Sequence, residues 1–137
     1  MTSQLTTKTA VTAIPAADPP QAEAHFASLL AYETDCSDVH QALETGEPDF
    51  VLLDVRSPEC FREGHIPGAV NIPHGKLVER NLQQYAPETL FVVYCAGPRC
   101  NGADKGARRL ASLGRYVKKM VGGIDGWKED GYSLTSE

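Results

Sequence analysis

The chain has 137 residues, 42% of them hydrophobic and 23% charged, and a net charge of -5 at pH 7. This length fits one domain with a substantial core, which needs no disulfide or metal to hold it together. The acidic balance argues against a general nucleic-acid-binding protein, and no apolar run approaches the roughly 20 residues of a membrane span. Nucleic acid and membranes are therefore not expected partners. The four cysteines are too few and too irregularly spaced for a disulfide scaffold, which leaves their purpose open.

Residues 1–20 are rich in Thr, Ala and Pro and contain no aromatic side chain. Such a segment buries little apolar surface, so we expect a flexible tail at 1–20 and a folded domain at 21–137. A secretory signal needs a basic start and an apolar run of at least about seven residues, whereas Lys8 stands alone and Pro15 interrupts the best apolar run. The sequence therefore predicts a cytoplasmic protein with mostly reduced thiols, and a weak targeting role for the tail is the less favoured alternative.

Short apolar runs alternate with helical patterns along the rest of the chain, which predicts an α/β fold. A first strand is expected at 28–32, followed by a helix that Asp35 caps and Gly46 ends. The later elements are expected in this order: strand 50–55, helix 57–63, strand 69–72, helix 77–85, strand 89–94, a helix from residue 103, strand 116–121 and a short helix around Trp127. Such units predict a parallel sheet with helices on both faces and ligands beyond the carboxyl ends of its strands.

The most informative segment is the strand–loop–helix unit VYCAGPRCNGA at residues 93–103. Cys95 ends a buried strand, and a loop of small residues leads from it into a helix. Asn101 is a plausible cap of that helix, with Asp104 in a capping-box position. Backbone N–H groups of the loop and the first helical turn would then converge on the sulfur. Such a cluster of N–H groups binds anions and favours the nucleophilic thiolate over the thiol. We therefore predict a reactive thiol rather than an inert buried cysteine.

The candidate site is built around this segment. Cys95 is the predicted catalytic residue, and the loop that would cradle a substrate consists of Ala96, Gly97, Pro98, Arg99, Cys100, Asn101 and Gly102. Asp54 and Arg56 end a neighbouring strand and could support the pocket, although a local salt bridge between them is the favoured interpretation. No metal is expected, because the chain has no C-x-x-C pair and no His near the loop in sequence.

Three motifs in order make the sequence resemble the rhodanese family of single-domain sulfurtransferases, from about residue 35 to residue 131. The first is LDVRSPE at 53–59 with EGHIPGA at 63–69, the second is YC at 94–95 with the loop that follows it, and the third is VGGIDGW at 121–127. The resemblance implies a central, mostly parallel five-stranded sheet with helices on both faces. It also implies that the Cys95 thiolate takes a sulfane sulfur from a small anionic donor such as thiosulfate, forming a persulfide. Cyanide, a thiol or a partner protein would then accept the sulfur, and no cofactor is implied.

The loop length of this family separates related chemistries. Six residues from Cys95 to Cys100 match the rhodanese loop, whereas cysteine phosphatases need a larger loop with Arg at the position of Asn101. The commoner sulfurtransferase pattern places Arg at the position of Cys100. Here Arg99 stands one step early, so the preferred donor does not follow from the pattern.

Cys100, at the far end of the loop, allows two interpretations. It could attack a persulfide on Cys95 or form a disulfide with it, or it could pack against the helix as a small residue, which is slightly favoured. A sulfur-carrier or regulatory binding module with little turnover and a redox-active Cys95/Cys100 protein are the alternatives to the enzyme. Cys36 and Cys60 are expected to be packing residues.

The remaining candidates are weaker. Glu63 and His65 are expected to be architectural and Trp127 to lie in the core, while Phe61 could line the pocket rim. Residues 95–119 contain seven basic residues and one acidic residue. This positive region could recruit an anionic donor or an acidic partner. An equal alternative is that these charges form a solvated helix face without a binding role, in which Asp104 pairs with Arg108.

Overall fold

The computed structural model describes residues 9–137, which fall into two compact units divided between Ala31 and Tyr32. In the first unit, α1 spans Pro19–Tyr32 and has no buried residue. The strand predicted at 28–32 is therefore wrong. Prolines in the first turn and a run of good helix formers favour the helix, whose large apolar residues Phe26, Leu30 and Tyr32 lie exposed. The predicted tail lies partly outside the described residues, and α1 includes its last two residues, so the division at residue 20 stays a prediction.

The second unit, Tyr32–Glu137, alternates strands and helices as predicted. Its elements are β1 (Glu33–Asp35), α2 (Cys36–Glu44), β2 (Val51–Asp54), α3 (Pro58–Glu63), β3 (Val70–Asn71), β4 (Leu90–Tyr94), α4 (Gly102–Ser112), β5 (Tyr116–Val121) and α5 (Gly123–Glu129). Asp35 caps α2 by accepting a hydrogen bond from the Asp38 N–H at 2.8 Å, and Gly46 follows that helix with a φ of +80°. Both ends of α2 are thus confirmed.

The five strands form one parallel sheet in the order β1-β5-β4-β2-β3. The central strand β4 pairs Tyr94 with Asp54 of β2 and Val93 with Lys119 of β5. The carboxyl ends of these strands therefore lie at one edge of the sheet. The predicted five-stranded, mostly parallel sheet is confirmed.

Side chains alternate between two core layers along β4. Val92 and Tyr94 pack with the residues of α2 and α5, whereas Phe91, Val93 and Cys95 pack with those of α4. This period of two is the signature of a strand that is buried on both faces. The predicted placement of helices on both faces is confirmed, and Cys95 lies on the α4 side.

One predicted helix is wrong. The apolar spacing over 77–85 predicts a continuous helix, but the structure has two 3-10 helices, at His74–Lys76 and Glu79–Leu82. Val78 lies between them in an extended conformation, with φ -126° and ψ 158°. Leu77 and Leu82 are both fully buried, so the core is filled at the predicted positions by two short turns.

Candidate active site

Cys95 directly follows the central strand and is buried, with 6% of its surface exposed. The chain then turns back so that the Cys100 N–H donates to the Gly97 carbonyl at 3.0 Å. This turn brings the Cys100 sulfur to 2.6 Å from the Cys95 sulfur, and both residues are free thiols. Because Cys100 is exposed and contacts Cys95, its interpretation as a helix-packing residue is wrong.

Gly102, the first residue of α4, leaves room for the two sulfurs. A Cβ atom at this position would lie 2.7 Å from the Cys95 sulfur and 3.4 Å from the Cys100 sulfur. The Gly102 N–H donates to the Cys100 sulfur at 3.4 Å. This amide, which belongs to the predicted cradle, therefore donates its hydrogen bond to Cys100 rather than to Cys95.

The two thiols share a hydrogen bond, so their protonation is linked. Burial, followed by the hydrogen bond to Cys100, raises the pKa of Cys95 to about 11. The pKa of Cys100 is lowered, chiefly because the Cys95 thiol donates to its sulfur, with help from the Gly102 and Ala96 amides. The pair therefore loses its first proton from Cys100, whereas the loop pattern predicts a stabilised thiolate on Cys95.

Each thiol should titrate differently once its neighbour is removed. In Cys95→Ala, the pKa of Cys100 should rise because its sulfur loses a hydrogen-bond donor. In Cys100→Ala, the pKa of Cys95 should fall below about 11 because the Cys95 thiol loses the hydrogen bond to Cys100 and, with it, a neighbouring negative charge. The rate of alkylation by iodoacetamide, measured against pH for each single variant and the wild type, reports both pKa values. Unchanged midpoints would contradict a shared proton.

The start of α5 holds the cysteine loop through its backbone. The Ile124 N–H donates to the Cys95 carbonyl at 3.0 Å, and the Asp125 N–H donates to the Ala96 carbonyl at 2.8 Å. Gly123 has a φ of +59°, and a Cβ atom there would lie 2.5 Å from the Cys95 carbonyl oxygen. Gly123 thus lets α5 approach the loop, a role that the sequence does not reveal because the contact is between segments that are distant along the chain.

A cavity of about 300 Å³ opens beside the two sulfurs. The loop, the first turn of α4 and the end of β5 line it, through Cys95, Gly97, Pro98, Cys100, Ala103, Asp104 and residues 119–123. Lys119 brings a positive charge to this wall, with its Nζ 2.9 Å from Asp104 Oδ1 and 3.7 Å from Glu33 Oε2. The sequence does not single out Lys119, because its partners are distant along the chain.

Three other predicted loop residues, Ala96, Arg99 and Asn101, are exposed and do not line this cavity, and the buried Gly102 does not line it either. The predicted capping box at the start of α4 is wrong. Within the described residues, Asn101 makes no side-chain capping hydrogen bond, and the Asp104 carboxylate pairs with Lys119. The ion pair between Asp104 and Lys119 of β5 therefore takes the place of the predicted cap at the start of α4.

Asp54 and Arg56 form an ion pair at the end of β2 rather than part of the cavity wall. The Arg56 Nη2 lies 2.7 Å from Asp54 Oδ2 and donates to the Gly64 carbonyl at 2.6 Å. The Asn71 side chain donates to the backbone carbonyls of Asp54 and Arg56. The ion pair therefore joins β2 to the residue after α3, and the Asn71 side chain joins β3 to the backbone of the same segment. The favoured interpretation, a local salt bridge, is confirmed.

His65 and Phe61 pack on each other, with ring centroids 3.6 Å apart, and neither lines the cavity at Cys95. The His65 backbone pairs with Thr135, so its architectural role is confirmed. The placement of Phe61 on the pocket rim is wrong because the side chain is buried beside His65. Trp127 lies in the core as predicted, and Glu63 is exposed at the end of α3.

The two remaining cysteines have different surroundings. Cys36 is buried, and its thiol donates to the carbonyls of Val121 and Gly123, at 3.6 Å and 3.7 Å. Its packing role is confirmed, and burial raises its pKa to about 11, which disfavours reactivity. Cys60 is exposed on α3, so its prediction as a packing residue is wrong.

The positive segment 95–119 contains both buried and exposed charges. Arg115 is buried, donates to the backbone carbonyls of Leu82, Tyr85 and Ala86, and pairs with Glu79 at 3.1 Å. Three exposed α4 residues instead border an open surface cavity of about 610 Å³, namely Lys105, Arg108 and Arg109. Because Asp104 pairs with Lys119, its predicted pairing along α4 is wrong. A role for this surface in recruiting an anion or an acidic partner stays a prediction.

Within residues 9–137, no group of three His, Cys, Asp or Glu side chains is placed to hold a metal ion. In the same part of the chain, no helix combines the length and the apolar character that crossing a bilayer requires. The residues that line the cavity at Cys95 include the two thiols and the ion pair of Lys119 with Asp104, together with glycines and the apolar residues Pro98, Ala103, Met120 and Val121.

Comparison with known proteins shows similarity across the second unit. The family model described as Rhodanese-like domain matches residues 35–130. The HTH-type transcriptional regulator Rv0324 of Mycobacterium tuberculosis is 39% identical over 85 residues, which cover 62% of this chain and 36% of the regulator. The thiosulfate sulfurtransferase GlpE of Pseudoalteromonas translucida is 27% identical over 92 residues, which cover 66% of this chain and 85% of that protein.

A solved structure is similar over most of the chain. The BH2092 protein from Bacillus halodurans is 36% identical and superposes with a TM-score of 0.84, covering 87% of each chain. The matched segment spans only about a third of the length of the mycobacterial regulator. The similarity therefore concerns this domain and not the regulator as a whole.

Proposed function

This chain belongs to the rhodanese-like domain family, and on that basis we propose that it is a thiosulfate sulfurtransferase whose Cys95 carries sulfur as a persulfide. The observation that carries the proposal is the position of Cys95. It lies at the carboxyl end of the central strand, in the wall of a cavity of about 300 Å³, with a second sulfur 2.6 Å away. A cavity of this size suits a small anionic sulfur donor, and the acceptor is cyanide, a thiol or a partner protein.

The transfer begins with loss of the Cys95 thiol proton, which leaves the nucleophilic thiolate. The Cys100 thiolate, whose sulfur lies 2.6 Å from the Cys95 sulfur, is one acceptor for that proton, and water in the cavity that Cys95 lines is another. This thiolate attacks the outer sulfur of thiosulfate, and sulfite leaves with the electron pair of the broken S–S bond. The acceptor then attacks the outer sulfur of the persulfide, and Cys95 leaves as a thiolate.

Two groups are placed to stabilise negative charge during this transfer. Burial and the hydrogen bond to Cys100 raise the pKa of Cys95, and the Ala96 amide partly opposes that rise. The Cys95 thiol lowers the pKa of Cys100, and the Ala96 amide adds to that lowering. Lys119 lies in the cavity wall, where a dianionic donor can compete with Asp104 for its ammonium group. Both features support an anionic substrate and an anionic persulfide.

A sulfur-carrier or regulatory module is the second candidate. The observation in its favour is the similarity to part of Rv0324, a protein named as a transcriptional regulator. Such a module would take up sulfur on Cys95 but would transfer little of it to a small acceptor.

The initial rate of thiocyanate formation from thiosulfate and cyanide tests the enzyme. We expect Cys95→Ser to reduce this rate by at least about 10³-fold, because the nucleophile is removed. Cys60→Ser is the matched control, since Cys60 is an exposed cysteine on α3, and it should match the wild type. A Cys95→Ser variant with more than about a tenth of the wild-type rate would refute the proposal. A wild type that takes up sulfur without forming thiocyanate would favour the carrier.

We also propose a cytoplasmic location. The support is chemical, because two adjacent free thiols are kept reduced in the cytosol and are readily oxidised to a disulfide in secretory compartments. Fractionation of cells that produce the full chain, followed by immunodetection, checks the location, and recovery with secreted proteins would contradict it.

A further inference from the structure

The second thiol of the site offers an activity beyond transfer of sulfur to an external acceptor. Cys95 is buried and Cys100 is exposed, yet their sulfur atoms are only 2.6 Å apart. Any sulfur that becomes attached to Cys95 is thus bound beside a nucleophile of the same chain. Cys36 packs on the opposite face of the sheet, and Cys60 lies on α3, so neither competes for this position.

We propose that Cys100 resolves the persulfide of Cys95, releasing hydrosulfide and leaving a Cys95–Cys100 disulfide that an external dithiol reduces. This step rests on the persulfide of the proposed function. It makes the protein a dithiol-dependent source of hydrosulfide as well as a sulfurtransferase.

The step balances in atoms and electrons. The persulfide anion on Cys95 takes the proton of the Cys100 thiol, which gives a neutral persulfide and a Cys100 thiolate. That thiolate attacks the inner sulfur, the Cys95 Sγ. A new S–S bond forms between the two cysteines, the S–S bond of the persulfide breaks, and hydrosulfide leaves with its electron pair. The two cysteine sulfurs together lose two electrons, and the sulfane sulfur gains them.

The geometry favours attack on the inner sulfur. The 2.6 Å distance joins the two Sγ atoms, so the atom of Cys95 that Cys100 reaches is the one that becomes the inner sulfur of the persulfide. Gly102 permits this approach, because a Cβ atom there would lie 2.7 Å from the Cys95 sulfur. Its amide also donates to the Cys100 sulfur and so supports the attacking thiolate.

Exposure determines how the disulfide is reduced. Because Cys100 is exposed and Cys95 is buried, an external thiolate reaches the Cys100 sulfur first, and Cys95 leaves as a thiolate. The second thiol of the reductant then releases Cys100 and closes the reductant's own disulfide. One turnover therefore converts thiosulfate and a dithiol into sulfite, hydrosulfide and an oxidised dithiol.

The test is a single-turnover reaction of the reduced full-length protein with thiosulfate, without oxygen and without an acceptor. Hydrosulfide is measured by trapping with monobromobimane, and the cysteines are assigned by non-reducing peptide mass spectrometry. We expect the wild type to release one hydrosulfide per chain and to gain the Cys95–Cys100 disulfide. Cys100→Ser should retain the extra sulfur on Cys95 and release hydrosulfide at least about tenfold more slowly.

Cys60→Ser is the control and should behave as the wild type. If Cys100→Ser acquires sulfur on Cys95 and releases hydrosulfide at the wild-type rate, the resolving role is overturned while the proposed function stands. An extra sulfur found on Cys100 of the wild type also overturns it, since that product requires attack on the outer sulfur. If no variant acquires sulfur, the proposed function fails and the resolving role fails with it.

Discussion

Replacing Gly123 with alanine should reduce thiosulfate-to-cyanide transfer by about 100-fold, although this residue contributes no side chain to the reaction. A Cβ atom there would lie 2.5 Å from the Cys95 carbonyl oxygen and 2.9 Å from the Ala96 carbonyl carbon. Both contacts are with backbone, which cannot rotate away as a side chain can. The added methyl therefore displaces the loop that carries both thiols, and the kinetics should show a fall in kcat.

Gly131→Ala is the matched control for this variant. Gly131 has a φ of +85°, also in the left-handed region, but a Cβ atom there has no neighbour within 4 Å. Alanine at Gly131 thus carries a backbone cost of about 1–2 kcal/mol without the clash. We expect Gly131→Ala to lower the free energy of unfolding by about that amount and to keep its kcat. Equal kcat values for the two variants would show that sulfur transfer does not need the close contact of α5 with the cysteine loop.

Replacing Arg56 with methionine should lower the free energy of unfolding by about 3–5 kcal/mol, because it leaves a buried carboxylate without its partner. The Asp54 side chain is 0% exposed, and Arg56 bonds it through two nitrogen atoms. The same guanidinium donates to the Gly64 carbonyl, so the variant also loses the connection between β2 and the residue after α3. Urea unfolding followed by circular dichroism measures the change.

Arg62→Met is the matched control, since Arg62 also pairs with a carboxylate in the same region. Its side chain is 56% exposed, and it lies 3.8 Å from the exposed carboxylate of Glu59. Exposed pairs of this kind contribute at most about 1 kcal/mol. A loss of stability in Arg56→Met no larger than that in Arg62→Met would contradict the structural role of the buried pair.

The sheet and the position of Cys95 could be predicted because they follow from local patterns. The run TLFVVY at 89–94 is apolar at every position but its first and last, as a strand buried on both faces requires. A cysteine directly after such a strand lies at the edge of a parallel sheet where ligands bind. The Asp35 cap and the Gly46 ending of α2 are equally local, and both are confirmed.

The orientation of Cys100 could not be predicted because it depends on tertiary contacts. A cysteine at the end of a loop packs on the helix or faces the first thiol according to how the loop closes. Here the turn from Gly97 to Cys100 and the absence of a Cβ at Gly102 decide it. The capping box failed for a similar reason, since Lys119 on β5 pairs with the carboxylate that the local pattern assigns to the cap.

The sulfur content of Cys95 tests the central proposal most directly. Cys100→Ser should be incubated with thiosulfate, freed of small molecules and digested, and the mass of each cysteine-containing peptide should be determined. In this variant Cys95 has no adjacent thiol to remove the sulfur. We expect one additional sulfur atom on the peptide that contains Cys95 and none on those that contain Cys36 or Cys60. An unmodified Cys95, or additional sulfur on either other cysteine alone, would contradict a persulfide mechanism at this site.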